Sequence, residues 1–247
     1  METVSLSLFR FDSLAARFWA FAQMGFARSG LRRTPDLKAW KLCGTGTGEG
    51  FTPVPNTGVY AILGTWTTLD AARAGVGGVG SVAGAPVWRR WRAHAAEDWT
   101  IFLAPTSVRG VWGGAQPFHV SASPAPGALA ALTRATVKPR VALKFWGRVP
   151  DISRVIGMDG HVAFKIGIGE VPLLHQVTFS VWPDAARMAD FARHDGPHAR
   201  AIAAVRAGNW FSEELYARFR ILGETGTWGG ESPLKSLSLP PLERPAA

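Results

Sequence analysis

Two stretches of this chain run through the same series of residues in the same order, and that constrains its fold more than any other feature. Leu8-Phe9-Arg10 corresponds to Leu132-Thr133-Arg134, and Phe18-Trp19 to Phe145-Trp146. Trp40-Lys41-Leu42 corresponds to Phe164-Lys165-Ile166, and each continues into a Gly-Glu pair, Gly48-Glu49 and Gly169-Glu170. Trp66 then matches Trp182, Asp70-Ala71-Ala72-Arg73 matches Asp184-Ala185-Ala186-Arg187, and Trp112-Gly113-Gly114 matches Trp228-Gly229-Gly230. Repeated order of this kind is the mark of an internal duplication.

Hydrophobic periodicity gives each half the same elements. In the first, residues 4–11 alternate as a strand, and 13–28 form a helix. Asp12 is the expected N-cap of that helix, with Leu14, Phe18, Phe21 and Gly25 on its core-facing stripe. Strands follow at 38–43 and 58–66, helical pieces at 68–74 and 86–96, and a strand near 99–104. The second half gives strands near 129–137, 161–168, 174–182 and 216–222, a helix at 141–156, and a helix pair within Trp182–Arg220. The order βαββαβ is the ferredoxin-like unit, an antiparallel sheet with helices on one face. Two such sheets bury their bare faces against each other. The expected fold is therefore α+β: duplicated ferredoxin-like halves in a dimeric α/β-barrel-like arrangement within one chain. Residues 1–115 form the first repeat, 116–127 a Pro-rich linker, 128–230 the second repeat, and 231–247 a loose tail. Ala74–Ala85 reads as a flexible Gly-rich insertion.

No apolar run reaches the ~20 residues that a membrane-crossing helix needs. The alternating N-terminus reads as a strand and not as a signal peptide. The single Cys43 excludes an intramolecular disulfide and favours a reducing compartment. A net charge of +9 favours an acidic partner, either an anionic lipid surface or an acidic electron carrier. No Lys/Arg tract is present, so nucleic acid is not expected.

Common catalytic signatures are absent: no G-x-S-x-G, H-E-x-x-H, C-x-x-C or P-loop. Gly44-Thr45-Gly46-Thr47-Gly48 lacks the ending of a phosphate loop and reads as a hairpin loop. Attention falls instead on His198. It follows Pro197 on a helix stripe shared with Ala201, Ile202 and Val205, among small residues that leave room for a flat group. The first half has Val87 in the corresponding place, so the frame itself needs no imidazole. One axial histidine on a haem iron fits these facts, and so does a core histidine bonded to a backbone carbonyl. His194, His94 and Cys43 are rival ligands. His161 and His175 read as strand-end residues, and His119 as an exposed linker residue. Lys165, Arg218 and Arg220 lie on strands. Arg218 and Arg220 share a face with Tyr216, opposite Ala217, Phe219 and Ile221, and such a row suits haem propionates or a solvated face. Trp210 lies at the edge of the same region. Gln176 is placed to donate a hydrogen bond to oxygen.

Four long runs carry a resemblance: Ala131–Thr136, Phe164–Pro172, Gln176–Pro183 and Trp210–Phe219. Together with Leu42–Gly46 and Gly50–Pro53, they are similar to the spheroidene monooxygenases, the acyclic carotenoid 2-ketolases of purple phototrophic bacteria. The likeness extends from about Val4 to Gly230, and the Ala74–Ala85 insertion departs from it. It implies a haem b monooxygenase that uses O2 and reduced ferredoxin to oxidise C2 of spheroidene to a ketone through hydroxylated intermediates. It implies no axial ligand. A carotenoid dissolves in lipid, so the expected location is cytoplasmic and peripheral, at an anionic photosynthetic membrane. Two other readings of the same fold stay open: a cofactor-free monooxygenase, and a non-catalytic haem or carotenoid carrier.

Overall fold

The computed structural model describes residues 1–48, 50, 52–78, 84–147, 162–193 and 208–239. The strands are β1 (Thr3–Arg10), β2 (Leu37–Gly46), β3 (Pro55–Trp66), β4 (Glu97–Gly110), β5 (Leu129–Val137), β6 (Phe164–Gly169), β7 (His175–Trp182) and β8 (Phe211–Gly226). The described helices are α1 (Leu14–Arg32), α2 (Leu69–Val76), α3 (Pro86–His94), α4 (Ala142–Trp146) and α5 (Ala185–Arg193). All strand pairs are antiparallel, and the sheet closes into an eight-strand barrel in the order β1-β3-β2-β6-β7-β5-β8-β4. Residues 3–110 contribute β4-β1-β3-β2, and residues 129–226 contribute β8-β5-β7-β6. Counted from its own first strand, each half has the order 4-1-3-2. Their sheets join through β4–β8 and through a short β2–β6 seam that pairs only Gly44 with Gly169 and Thr45 with Ile168.

Strict alternation decides which side chains enter the barrel. Val4, Leu6 and Leu8 of β1 meet Leu63, Ile101, Leu132, Phe179, Ala217 and Phe219 in one interior core. The intervening Ser5 and Ser7 face outward yet are fully buried, because helices cover them. Their hydroxyls are satisfied there: Trp66 Nε1 donates to Ser5 Oγ at 2.8 Å and Trp88 Nε1 to Ser7 Oγ at 3.0 Å. Four of the tryptophans (Trp66, Trp88, Trp91 and Trp99) are thus core residues.

The helix α1 differs from expectation. Its N-cap is Ser13, whose side chain accepts from Ala16 N, and not Asp12. Ala20, Ala27 and Leu31 are its buried residues, while the stripe expected to face the core is turned to solvent. Apolar residues lie on both sides of this helix. The inner side packs through small residues, and Gly30 lies so close to α3 that a Cβ would meet Val87 Cγ2 at 2.8 Å.

The two ends of the β4–β8 seam are tied in the same way. After β4, Trp112-Gly113-Gly114 turns back, and the N–H groups of Gly113 and Gly114 donate to the Glu213 carboxylate at 2.8 and 2.7 Å. After β8, Trp228-Gly229-Gly230 turns back, and Gly229 and Gly230 donate to Glu97 at 3.0 and 2.7 Å. All four glycines have positive φ, from +68° to +84°, which explains why glycine recurs in both turns.

The segments read as linker and tail are packed. Phe118 is fully buried in the barrel core against Phe219, and Thr65 donates to Pro117 O. Leu234 is 3% exposed in the same core with Leu237 partly buried against it, so the chain just after the second repeat is anchored to the barrel. Residues 240–247 lie outside the described residues, as do residues 79–83 of the Gly-rich insertion and the greater part of the helix expected at 141–156; Ala74 to Val76 of that insertion instead complete α2, and Ala85 N donates to Gly75 O at 2.7 Å.

Candidate functional site

The register lets the outer faces of the two half-sheets be compared position by position, and it shifts two of the sequence correspondences: Phe9 falls on Ala135 and not Thr133, and Trp40-Lys41-Leu42 on Lys165-Ile166-Gly167 and not Phe164-Lys165-Ile166. Phe9 pairs with Tyr60 in the first half, where Ala135 pairs with Gln176 in the second. Leu42 and Ile62 correspond to Gly167 and Thr178, Trp40 to Lys165, and Phe102 to Arg218. In the first half these large side chains are packed beneath α1, α2 and α3, with Phe9, Ile62 and Phe102 at most 3% exposed. On the second half the same positions hold small or polar residues. Thr133 and Arg218 are exposed there, Tyr216 is 43% exposed, and Ala131, Ala135, Gln176 and Thr178 are half-buried. One frame carries a filled face and a shallow face. The shallow one spans β6-β7-β5-β8.

Charge is arranged at its edges. One rung runs Lys165–Ser180–Ala131–Arg218 across the four strands, which sets two cations three strand spacings apart, about 14 Å. Arg220 follows on the same face and is 7% exposed. Gln176 stands one pleat repeat away from the Thr133 rung on β7. At the margin, Trp210 is 4% exposed and packs with Val137 and Phe145, with Lys144 Nζ 5.3 Å from its ring centroid.

A cavity of about 410 Å³ adjoins this face where the β2–β6 seam stops. Val59, Phe164, Ile166 and Trp228 form an apolar wall continuous with the barrel core, and Thr45, Asn56 and Lys165 form the polar lip. Lys165 belongs to both the cavity and the outer face. The volume is in the range of small-molecule sites.

The opposite barrel mouth is polar. There Trp112 lies between Lys41 Nζ and the Arg134 guanidinium, 5.2 and 5.6 Å from its ring. Its Nε1 donates to Glu170 at 2.5 Å, and Glu170 also lies 3.5 Å from both Lys41 and His175. Arg134 is paired with Glu213. Burial alone pushes the Glu213 carboxyl up, but Gly113, Gly114 and then Arg134 outweigh it and hold it below the usual carboxylate range. Burial, and then the nearby Arg134 charge, depress His175 despite Glu170.

Of the residues expected to form a site, Gln176, Lys165, Arg218 and Arg220 share one outer face, and Trp210 stands beside it. His198 and His194 lie outside the described residues, as does His161. His94 is on the other half: it is exposed, stacked on Trp19 at 3.8 Å, and its Nδ1 lies 2.9 Å from Arg90 O. Cys43 is fully buried inside the barrel, where burial and then Glu170 push its thiol up. Neither His94 nor Cys43 shares the face with Arg218. His119 is exposed and meets Glu2 through its backbone N–H at 2.7 Å. Gly44 to Gly48 form the end of β2 and its hairpin loop. His175, read as a mere strand end, belongs to the polar mouth. The signal available for it was parity with inward Val177 and Phe179, set against inward Arg134 on the paired strand.

No family model matches the chain. A spheroidene monooxygenase of Rhodobacter capsulatus is 53% identical over 239 residues, covering 96% of this chain and 97% of that protein. One of Cereibacter sphaeroides is 49% identical, covering 99% of this chain and 75% of that protein. Among solved structures, an aldoxime dehydratase in complex with butyraldoxime is similar in fold, with a TM-score of 0.58 at 11% identity, covering 89% of this chain and 79% of that one.

Proposed function

The chain belongs to the spheroidene monooxygenase family, and from that premise we propose that it inserts an O2-derived oxygen atom at C2 of an acyclic carotenoid, using a haem b held on the outer face of β6-β7-β5-β8. The observation that carries the location is the contrast between the two faces. Positions filled by Phe9, Leu42, Ile62 and Phe102 in one half are Ala135, Gly167, Thr178 and Arg218 in the other, so that among the described residues only the second face has side chains small enough to receive a flat group.

Haem bound there supplies an iron that activates O2 with electrons from reduced ferredoxin. His198 would hold the iron in this reading, with His194 as its rival. His94, on the far half, and Cys43, a protonated thiol inside the barrel, fit the role less well. Arg218, Arg220 and Lys165 place positive charge on the face, which suits the propionate carboxylates. Trp210 lends an apolar edge. Gln176 offers an amide donor to the oxygen substrate and so orients it. The adjoining cavity takes one end of the polyene against Val59, Phe164 and Trp228 and excludes water from it.

The two halves are read as copies of one ferredoxin-like unit. Their shared 4-1-3-2 strand order and the paired Trp-Gly-Gly turns, each closed by a glutamate of the other half, support this. A surplus of nine positive charges suits an acidic ferredoxin and an anionic membrane surface. In this reading the lipid-dissolved substrate is met from the cytoplasmic side by peripheral contact. No helix among the described residues is long and apolar enough to cross a membrane.

The test is turnover of spheroidene by the purified chain with reduced ferredoxin and isotopically heavy O2. Heavy oxygen in a hydroxylated and then ketone product is expected. A product carrying oxygen from water, or no product, refutes the reading.

A further inference from the structure

The outward side of α1 bears Leu14, Phe18, Phe21 and Phe26, which are 72%, 74%, 68% and 78% exposed. At 100° per residue Leu14, Phe18, Phe21 and Gly25 form one stripe, with Phe26 at its margin, and a Cβ on Gly25 would touch nothing within 4 Å. Three largely exposed phenylalanines and a leucine present apolar surface on the order of 400 Å², the size at which a patch marks an interaction site. Arg28 and Arg32 continue the stripe toward the helix end, Arg33 follows, and all three are exposed. The helix contains no acidic residue.

Its position matters as much as its composition. Phe11 N donates to Gly58 O at 2.8 Å, and Arg17 Nε donates to Phe11 O at 3.0 Å, so the first turns of α1 lie against the strand residues that lead to the cavity wall at Asn56 and Val59. Val54, on the loop beside that mouth, is 58% exposed.

We propose that α1 is the element by which this protein docks on an anionic lipid bilayer, with Phe18, Phe21 and Phe26 in the acyl boundary and Arg28 and Arg32 on the headgroups. An interfacial helix with an aromatic face and basic termini binds in this way. Docking here brings the cavity mouth to the surface that holds the substrate; in this the inference rests on the carotenoid reading above. A second copy of the chain suits the face less well, because α1 has no carboxylate to meet a partner's Arg28 and Arg32.

The full chain is floated with phosphatidylcholine vesicles and with vesicles that also contain phosphatidylglycerol. The wild type binds the anionic vesicles, more weakly as salt rises. The Phe18→Ser/Phe21→Ser/Phe26→Ser variant loses at least about tenfold in binding, while its thermal melt and its turnover of detergent-dispersed spheroidene stay unchanged. Arg28→Gln/Arg32→Gln loses only the preference for anionic lipid. Vesicle binding by the triple variant equal to wild type overturns the proposal. So does a change from dimer to monomer in that variant without any change in vesicle binding, which assigns the face to a second copy. Vesicle binding is read without substrate, so failure of the oxygenation reading shows separately, as absent turnover in detergent.

Discussion

Replacing Glu213 by Gln removes the charge that closes the turn after β4, and replacing Glu97 by Gln does the same after β8. The two carboxylates make matching bonds to glycine N–H pairs, but their cations differ. Arg134, paired with Glu213, has a side chain 2% exposed. Arg10, 2.8 Å from Glu97, is 41% exposed. Stranding a buried cation costs about 3–5 kcal/mol. Glu213 keeps an 18% exposed side chain, which puts Glu213→Gln at the lower end, about 3 kcal/mol. Arg10 returns to water, so Glu97→Gln forfeits chiefly the charge-assisted hydrogen bonds, about 1 kcal/mol. Urea unfolding at pH 7, followed by tryptophan fluorescence, measures both. Both carboxyls are held below their ordinary range, so their stabilisation is present above the unfolded value near 4.3 and is lost as pH falls through the folded value. Glu213→Gln therefore also flattens the acid limb of the stability curve. Equal losses in the two variants, or a larger one for Glu97→Gln, would refute the argument from burial.

Three further outcomes follow from the same geometry. Thr178→Ile/Arg218→Phe gives the second face the residue types of Ile62 and Phe102; haem content and turnover are expected to fall at least about tenfold while the unfolding midpoint of the haem-free chain stays unchanged, read by pyridine haemochrome and calorimetry. His175 has a depressed folded pKa, so the unfolded chain binds the extra proton and stability declines as pH falls below about 6.5; His175→Asn should show a flatter profile from pH 7 to 5 in urea melts. Ser7→Ala leaves the Trp88 indole and the Thr100 hydroxyl without their buried partner and should cost about 2 kcal/mol by the same assay.

Much of the frame was legible in the sequence because alternation has only one sense. Val4, Leu6 and Leu8, and Ala217, Phe219 and Ile221, point inward as their periodicity implies, and the βαββαβ order recurs in both halves. Strand ends were harder to read. β4 and β8 run to Gly110 and Gly226, well past their apolar cores, because pairing across the seam sustains polar residues in extended form. Helix faces failed where both sides are apolar. Nothing in the composition of α1 says that Ala20 and Ala27 pack inward while Phe18 and Phe21 stay out; the nearby bulk of Trp88 and Trp91 decides it. On the candidate site, the shared face of Arg218 and Arg220 followed from parity, whereas its extension to Lys165 and Gln176 needed the pairing of β6, β7, β5 and β8. The shallowness of that face among the described residues did not, because it shows only against the filled face of the first half. Proline content made residues 116–127 look like a linker, whereas buried Phe118 and hydrogen bonds from Thr65 to Pro117 O and from His119 N–H to Glu2 hold them to the barrel.

The central claim is that this chain oxygenates an acyclic carotenoid with one haem on its second half. The optical spectrum of the purified protein, taken beside that of His198→Ala and alongside turnover, tests it most directly. The claim predicts a Soret band of one haem per chain, lost in the variant while the circular dichroism of the fold persists. A colourless preparation that turns over spheroidene at full rate, or a Soret band unchanged in His198→Ala, contradicts it.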